Sequence, residues 1–186
     1  MRTYSGRIFV MLALAAMMAT PGAPEAAPLS TAAELDADVT ETLKELYAST
    51  PAARTLGASA KAILVFPGVV KAGFIGGAQT GEGALRVGGR TAAYYRTTAV
   101  SYGLQAGVQK FGYALFFMTD NALESLDKIG GLEIGVGPSV VVVDEGRARS
   151  LTTTTARDDV YAFVFDQKGL MAGAGLQGSK ITRITK

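Results

Sequence analysis

Glycine constrains this chain more than any other residue. It occupies 23 of 186 positions, about 12% against a usual ~7%. The glycines do not recur at every third position, which excludes a collagen helix. They sit inside segments otherwise rich in Val, Tyr, Phe and Thr, as at 103, 107 and 112. Glycines so placed bend strands or let another backbone approach closely. With 48% hydrophobic and 18% charged residues, the chain can bury a core and is not a disordered polymer. Its length suits one domain.

Two residue types are missing, and their absence narrows the chemistry. Without Cys there is no disulfide, thiol nucleophile or thiolate-bound metal. Without His there is no imidazole ligand and no Ser-His-Asp triad. The formal charge is +2, from 18 Lys+Arg against 16 Asp+Glu, with no run of basic residues. That balance argues against nucleic acid as a partner.

Arg2 and Arg7 open the chain, Ile8 to Ala19 is apolar, and Thr20-Pro21-Gly22 breaks the run. This is the layout of a secretory signal peptide, expected over 1–27. The apolar stretch is about twelve residues, short of the ~20 that span a bilayer; an uncleaved anchor is the alternative. Ala23, Ala26 and Ala27 compete as cleavage positions. The expected mature chain is 28–186, a periplasmic or secreted protein with peripheral membrane association allowed.

Leu35, Val39, Leu43 and Leu46 predict an amphipathic helix over 31–47, with Thr31 and Glu34 as a capping box. Thr50-Pro51 starts a second short helix that Gly57 ends. From Ile63 the pattern turns to strands: 62–66, closed by Pro67-Gly68; two strands within 69–87, turning near Thr80-Gly81; and a long β-like stretch over 92–118. Between 100 and 108, Val100, Tyr102, Leu104, Ala106 and Val108 share one face. Ser101, Gly103, Gln105 and Gly107 share the other, as if something packs very close to it. A helix is expected over 119–129. Further strands are expected within 132–143, 149–155, 159–165 and 170–184, with a hairpin loop at 166–169. The fold class is α+β: N-terminal amphipathic helices, then a Gly-rich, curved, mostly antiparallel sheet or barrel with one interposed helix.

Most motifs fail on context. Gly173 to Gly178 fits G-x-G-x-x-G, but the eight residues that follow leave no room for a dinucleotide-binding unit. Ser125-x-x-Lys128 lacks its partner motifs. Asp144-Glu145 and Asp158-Asp159 sit at turns, and no calcium-loop pattern surrounds them. No catalytic residue, metal or cofactor is assigned. The basic residues remain. Lys61, Lys71, Arg86, Arg90 and Arg96 punctuate the first strands, and Lys180 and Arg183 stand near the end; those that converge would hold phosphate head groups.

Ordered blocks of the sequence resemble the SYLF domain family. They are Lys61 to Phe74 (KAILVFPGVVKAGF), Gly81 to Leu85 (GEGAL), Ser101 to Gly107 (SYGLQAG), Phe117 to Asp120 (FMTD) and Gly169 to Gly173 (GLMAG). The resemblance covers about 35–184. It implies a lipid-binding, non-catalytic module; relatives in eukaryotes bind phosphoinositides, and some bind actin. For an exported bacterial chain the expected partner is an anionic membrane lipid: phosphatidylglycerol, cardiolipin or a phosphoinositide-like head group. The rival expectations are a structural or protein-interaction module of the envelope, and an enzyme using carboxylate or Ser/Lys chemistry.

Overall fold

The computed structural model describes residues 30–73, 76–102, 107–128, 130–143, 151, 157–169, 176 and 178–186. The expected signal peptide, the Asp144-Glu145 turn, most of the 149–155 strand and most of the G-x-G-x-x-G segment lie outside them.

Helix α1 (Ala32–Ser49) starts where the capping box places it. The Thr31 hydroxyl accepts from the Glu34 amide at 3.3 Å, and the Glu34 carboxylate accepts from the Thr31 amide at 2.8 Å. Leu35, Val39 and Leu46 are buried. Helix α2 (Pro51–Gly57) follows at once, with Pro51 in its first turn and Ala52, Ala53 and Leu56 buried.

The strands are β1 (Ala62–Gly73), β2 (Gly76–Val87), β3 (Arg90–Tyr102), β4 (Gly107–Phe117), β5 (Leu132–Glu133), β6 (Val140–Val142), β7 (Val160–Gly169) and β8 (Lys180–Ile184). They form one curled sheet, a half-barrel, in the order β5-β8-β3-β2-β1-β4-β7-β6. The pairings are antiparallel except for parallel β6–β7. Between β4 and β5 lies α3 (Asp120–Glu124), capped by the Thr119 hydroxyl and continued by a 3-10 turn over Ser125–Asp127.

Several expected boundaries shift. Pro67-Gly68 does not end β1; it forms a bulge, with register shifts against both β2 and β4, and a bulge tolerates a residue that lacks an N–H. Thr80-Gly81 is mid-strand. β1 ends at Gly73 and β2 begins at Gly76; β2 and β3 are joined at Gly88-Gly89, whose φ angles of 55° and 79° suit a two-residue hairpin loop. The expected 92–118 stretch is two strands on opposite sides of the β1–β2 pair. The 166–169 loop is strand: β7 runs on to Gly169, with Asp166 at φ 52° where the register shifts. Of the expected 170–184 strand, Lys180–Ile184 is β8, and 170–175 and 177 lie outside the described residues.

Each face of the sheet has its own core. On the outer face α1 and α2 cover Ile63, Val65, Ala84, Ala114, Phe116, Tyr161 and Phe163. On the inner face Leu64, Phe66, Leu115 and Phe117 pack with Ile181 of β8 and Val160 of β7. Residues from opposite ends of the strand order meet there because the sheet curls. Ala122 and Leu126 join this inner core, so α3 and its 3-10 turn close the barrel end where β1 starts.

Candidate functional site

The seven basic candidates do not form one cluster. Lys61 precedes β1 and pairs with Asp120 at 3.2 Å. Arg86 points from β2 to α1, donating to the Asp36 carbonyl and the Thr40 hydroxyl, each at 2.8 Å, and lying 3.8 Å from the Asp36 carboxylate. Arg96 pairs with Glu82 at 2.7 Å, and Arg183 with Asp127 at 3.3 Å. Lys71, Arg90 and Lys180 have no ion pair among the described residues. Arg90 is exposed beside the Gly88-Gly89 turn, and Lys180 stands opposite Thr98 on β8.

The carboxylates facing these cations tie elements together. Asp36 also accepts from the Thr91 and Tyr94 hydroxyls at 2.7 and 3.1 Å, fastening α1 to β3. Glu82 takes Arg96 and Lys186, which also donates to the Ser30 carbonyl. Burial alone would raise the Glu82 carboxyl, but the hydrogen bonds from Arg96 and Lys186 outweigh it and hold the group below its ordinary value. Asp159 is lowered by the Ser139 amide and the Thr119 hydroxyl, which join the α3 cap to the entry of β6. Among the described residues no three carboxylates converge as metal ligands.

Around Lys71 the inner face carries further polar residues that the sequence reading passed over. Across the inner face, away from α3, register places Ala99, Gln79, Lys71 and Gln109 in one row over β3, β2, β1 and β4. The row beyond it is Ser101, Gly77, Gly73 and Gly107. Gln79 and Gln109 are buried, as are Thr97, Tyr113 and Ser179. Gln79 Nε2 donates to Ser179 Oγ at 2.9 Å. Gln109 Oε1, Thr97 Oγ1 and Tyr113 Oη are buried with no hydrogen-bond partner meeting ordinary geometry among the described residues. Burial pushes the Tyr113 phenol far up, weakly opposed by the neighbouring Thr97 hydroxyl, so the phenol stays a neutral donor and acceptor. A buried polar atom left unpaired costs about 1–3 kcal/mol. The inner face at this end thus carries Lys71, Gln79 and Gln109 in one row, while Thr97 and Tyr113 lie nearer α3, with Val69 and Phe111 in the row of Thr97.

Two shallow depressions lie elsewhere, along the β3–β8 edge. One, of about 380 Å³, is bounded by Asp127, Lys128, Gly131 and Arg183. The other, of about 420 Å³, is bounded by Asp36, Tyr94, Arg183 and Lys186. Each is largely open, and Arg183, which borders both, is engaged with Asp127.

Residues 98–186 match the family model Ysc84, described as Las17-binding protein actin regulator. This is the SYLF family that the sequence resembles, and the match runs from the second half of β3 to the C-terminus, somewhat less than half of the chain. A search of curated proteins finds no match to the chain.

Proposed function

Starting from a Ysc84-type segment that supplies β4 to β8, we propose that the protein is a non-catalytic, exported binding module that takes anionic phospholipid at the bacterial envelope. The observation that carries this reading is Lys71. Its strand position lies on the inner face between two buried glutamines, and no carboxylate pairs with it among the described residues. An ammonium, an amide N–H and hydroxyls donate to phosphate oxygens. Gln109 Oε1, beside Lys71 in register, can accept from a hydroxyl of a glycerol head group. Phosphatidylglycerol and cardiolipin carry both features. The apolar start of the chain supports export.

The test is co-sedimentation with vesicles of rising phosphatidylglycerol content at several salt concentrations. Lys71→Ala is expected to weaken binding about fivefold, the effect of about 1 kcal/mol per basic residue at an anionic surface, and to flatten its salt dependence. Lys61→Ala should leave binding unchanged, because Asp120 already neutralises that ammonium. Failure to sediment at any anionic fraction refutes the reading. It would favour a protein-interaction module, which the family description, with its Las17 binding and actin regulation, makes the second reading.

A further inference from the structure

The outer face at the same end of the sheet is inverted in polarity. Because side chains alternate along a strand, the positions between the inward polar ones point outward. Val100, Ala78, Ala72 and Val108 stand in one register row across β3, β2, β1 and β4. Val100 and Val108 are 75% and 60% exposed, and Val70, one step behind, is 42% exposed. Three of the six large exposed hydrophobics among the described residues thus fall in two adjacent rows. Alanines between the valines keep the surface flat. Helix α1 covers the sheet nearer its other end and leaves these rows uncovered.

The second row carries the charge. In register it reads Lys180, Thr98, Thr80, Val70 and Lys110, from β8 to β4, so a lysine stands at each end. The Lys110 stem lies 3.4 Å from where a Gly68 Cβ would be, alongside the β1 bulge. Within β3, β2, β1 and β4 neither row holds a carboxylate; Glu133 of the edge strand β5 is the register neighbour of Lys180. Two residues of strand separate the rows, about 7 Å. Apolar outside, polar inside is the alternation of β-structure in a lipid surround. An apolar edge with cations about 7 Å behind it matches the step from acyl chains to phosphates.

We infer that this end of the sheet is a membrane-insertion surface: the Val100–Val108 row enters an anionic bilayer's interface while Lys110 and Lys180 contact phosphates. The inference rests on the lipid-binding reading and assigns it a face and a depth. A second copy of the chain, the other occupant for such a face, would have to accept two lysines that have no ion pair among the described residues against their own kind.

The sequence provides its own probe, since it contains no Trp. Val100→Trp gives a single reporter on the insertion row. Val87→Trp gives a control on an exposed position nine residues from Ala78 along β2, about 30 Å away. With phosphatidylglycerol vesicles, emission from Trp at 100 should shift to the blue and be quenched by lipids brominated near the head group; emission from Trp at 87 should not change. Val100→Asp with Val108→Asp should weaken vesicle binding at least about tenfold, with an unchanged circular-dichroism spectrum. If the unsubstituted protein binds vesicles but Trp at 100 stays unshifted, the insertion face is wrong and the lipid-binding reading survives. If the unsubstituted protein binds no anionic vesicle, both fall. If the double variant binds vesicles normally and instead converts a dimer to a monomer, the face is a self-interface and the inference is overturned.

Discussion

The latch between α1 and β3 offers a perturbation whose size can be worked from contacts. Asp36 receives the Thr91 hydroxyl at 2.7 Å and the Tyr94 hydroxyl at 3.1 Å, and Arg86 lies 3.8 Å away. Hydrogen bonds to a charged group contribute about 1.5–3 kcal/mol when well buried. The Asp36 side chain is 36% exposed, so about 1 kcal/mol for each hydroxyl is appropriate. The ion pair adds less than about 1 kcal/mol at this separation and exposure. Asp36→Ala should therefore cost about 2–3 kcal/mol. For a chain of this size that lowers Tm by about 5–10 °C. The helix should stay docked, because Leu35, Val39 and Leu46 are buried beneath it and each contributes about 1.5–3 kcal/mol. Urea melts of Asp36→Ala, Thr91→Val and the double variant measure the coupling directly. A coupling near 1 kcal/mol supports the latch. A loss below about 0.5 kcal/mol for Asp36→Ala, or additive single losses, would mean that solvent screens these contacts and apolar packing alone sets the position of α1.

Two further predictions separate kinds of close packing and set the acid behaviour. At Gly83 a Cβ would lie 2.3 Å from the Val65 carbonyl oxygen, whereas at Gly112 it would meet the Phe165 ring. Backbone cannot yield as a ring can, so Gly83→Ala should cost about 3 kcal/mol or more and Gly112→Ala about 1–2 kcal/mol in chemical denaturation. Equal costs would refute that distinction. Glu82 titrates below its ordinary 4.5 in the folded chain. Its contribution is thus complete at neutral pH, shrinks as pH falls below 4.5 and is gone once the folded-state value is passed. Glu82→Gln should flatten the stability-versus-pH curve in that acid window, and an unchanged slope would show that Arg96 and Lys186 do not hold the carboxylate in solution.

Legibility followed the range of the interaction. The capping box, the Leu35–Val39–Leu46 stripe and Pro51 are local signals, and α1 and α2 start where those signals stand. Glycine and proline misled because each has two uses. Pro67-Gly68 marks a bulge and not a strand end. Gly81 is small because a Cβ there would lie 2.8 Å from the Gly68 carbonyl oxygen, not because the chain turns. The ion pairs were beyond local reading for a related reason. Arg96 meets Glu82 because the two are cross-strand partners, and register between strands is a tertiary fact.

The polar interior carried no motif, but it had a phase. Gln109 precedes Phe111 by two residues and Tyr113 by four, and both aromatics are buried on the inner face. A period of two then obliges Gln109 to point inward and Val108 to point outward. The same phase sets Lys71 with Val69 inside and Val70 with Ala72 outside. The alternation of Val100 with Ser101 was visible in the sequence, as was the contrast between a bulky apolar face and a small polar one. What the sequence lacked was the sign, since either face can be the buried one in a strand of that pattern. The buried Tyr95 and Phe111 supply it, since Val100 and Val108 lie an odd number of residues from them on the same strands, and the answer is the inverted one. An ordinary soluble sheet places its valines inward because water penalises them outside. This sheet end does the reverse with Val100, Val70 and Val108 on three of its strands, while Gln79 and Gln109 are buried on the inner face.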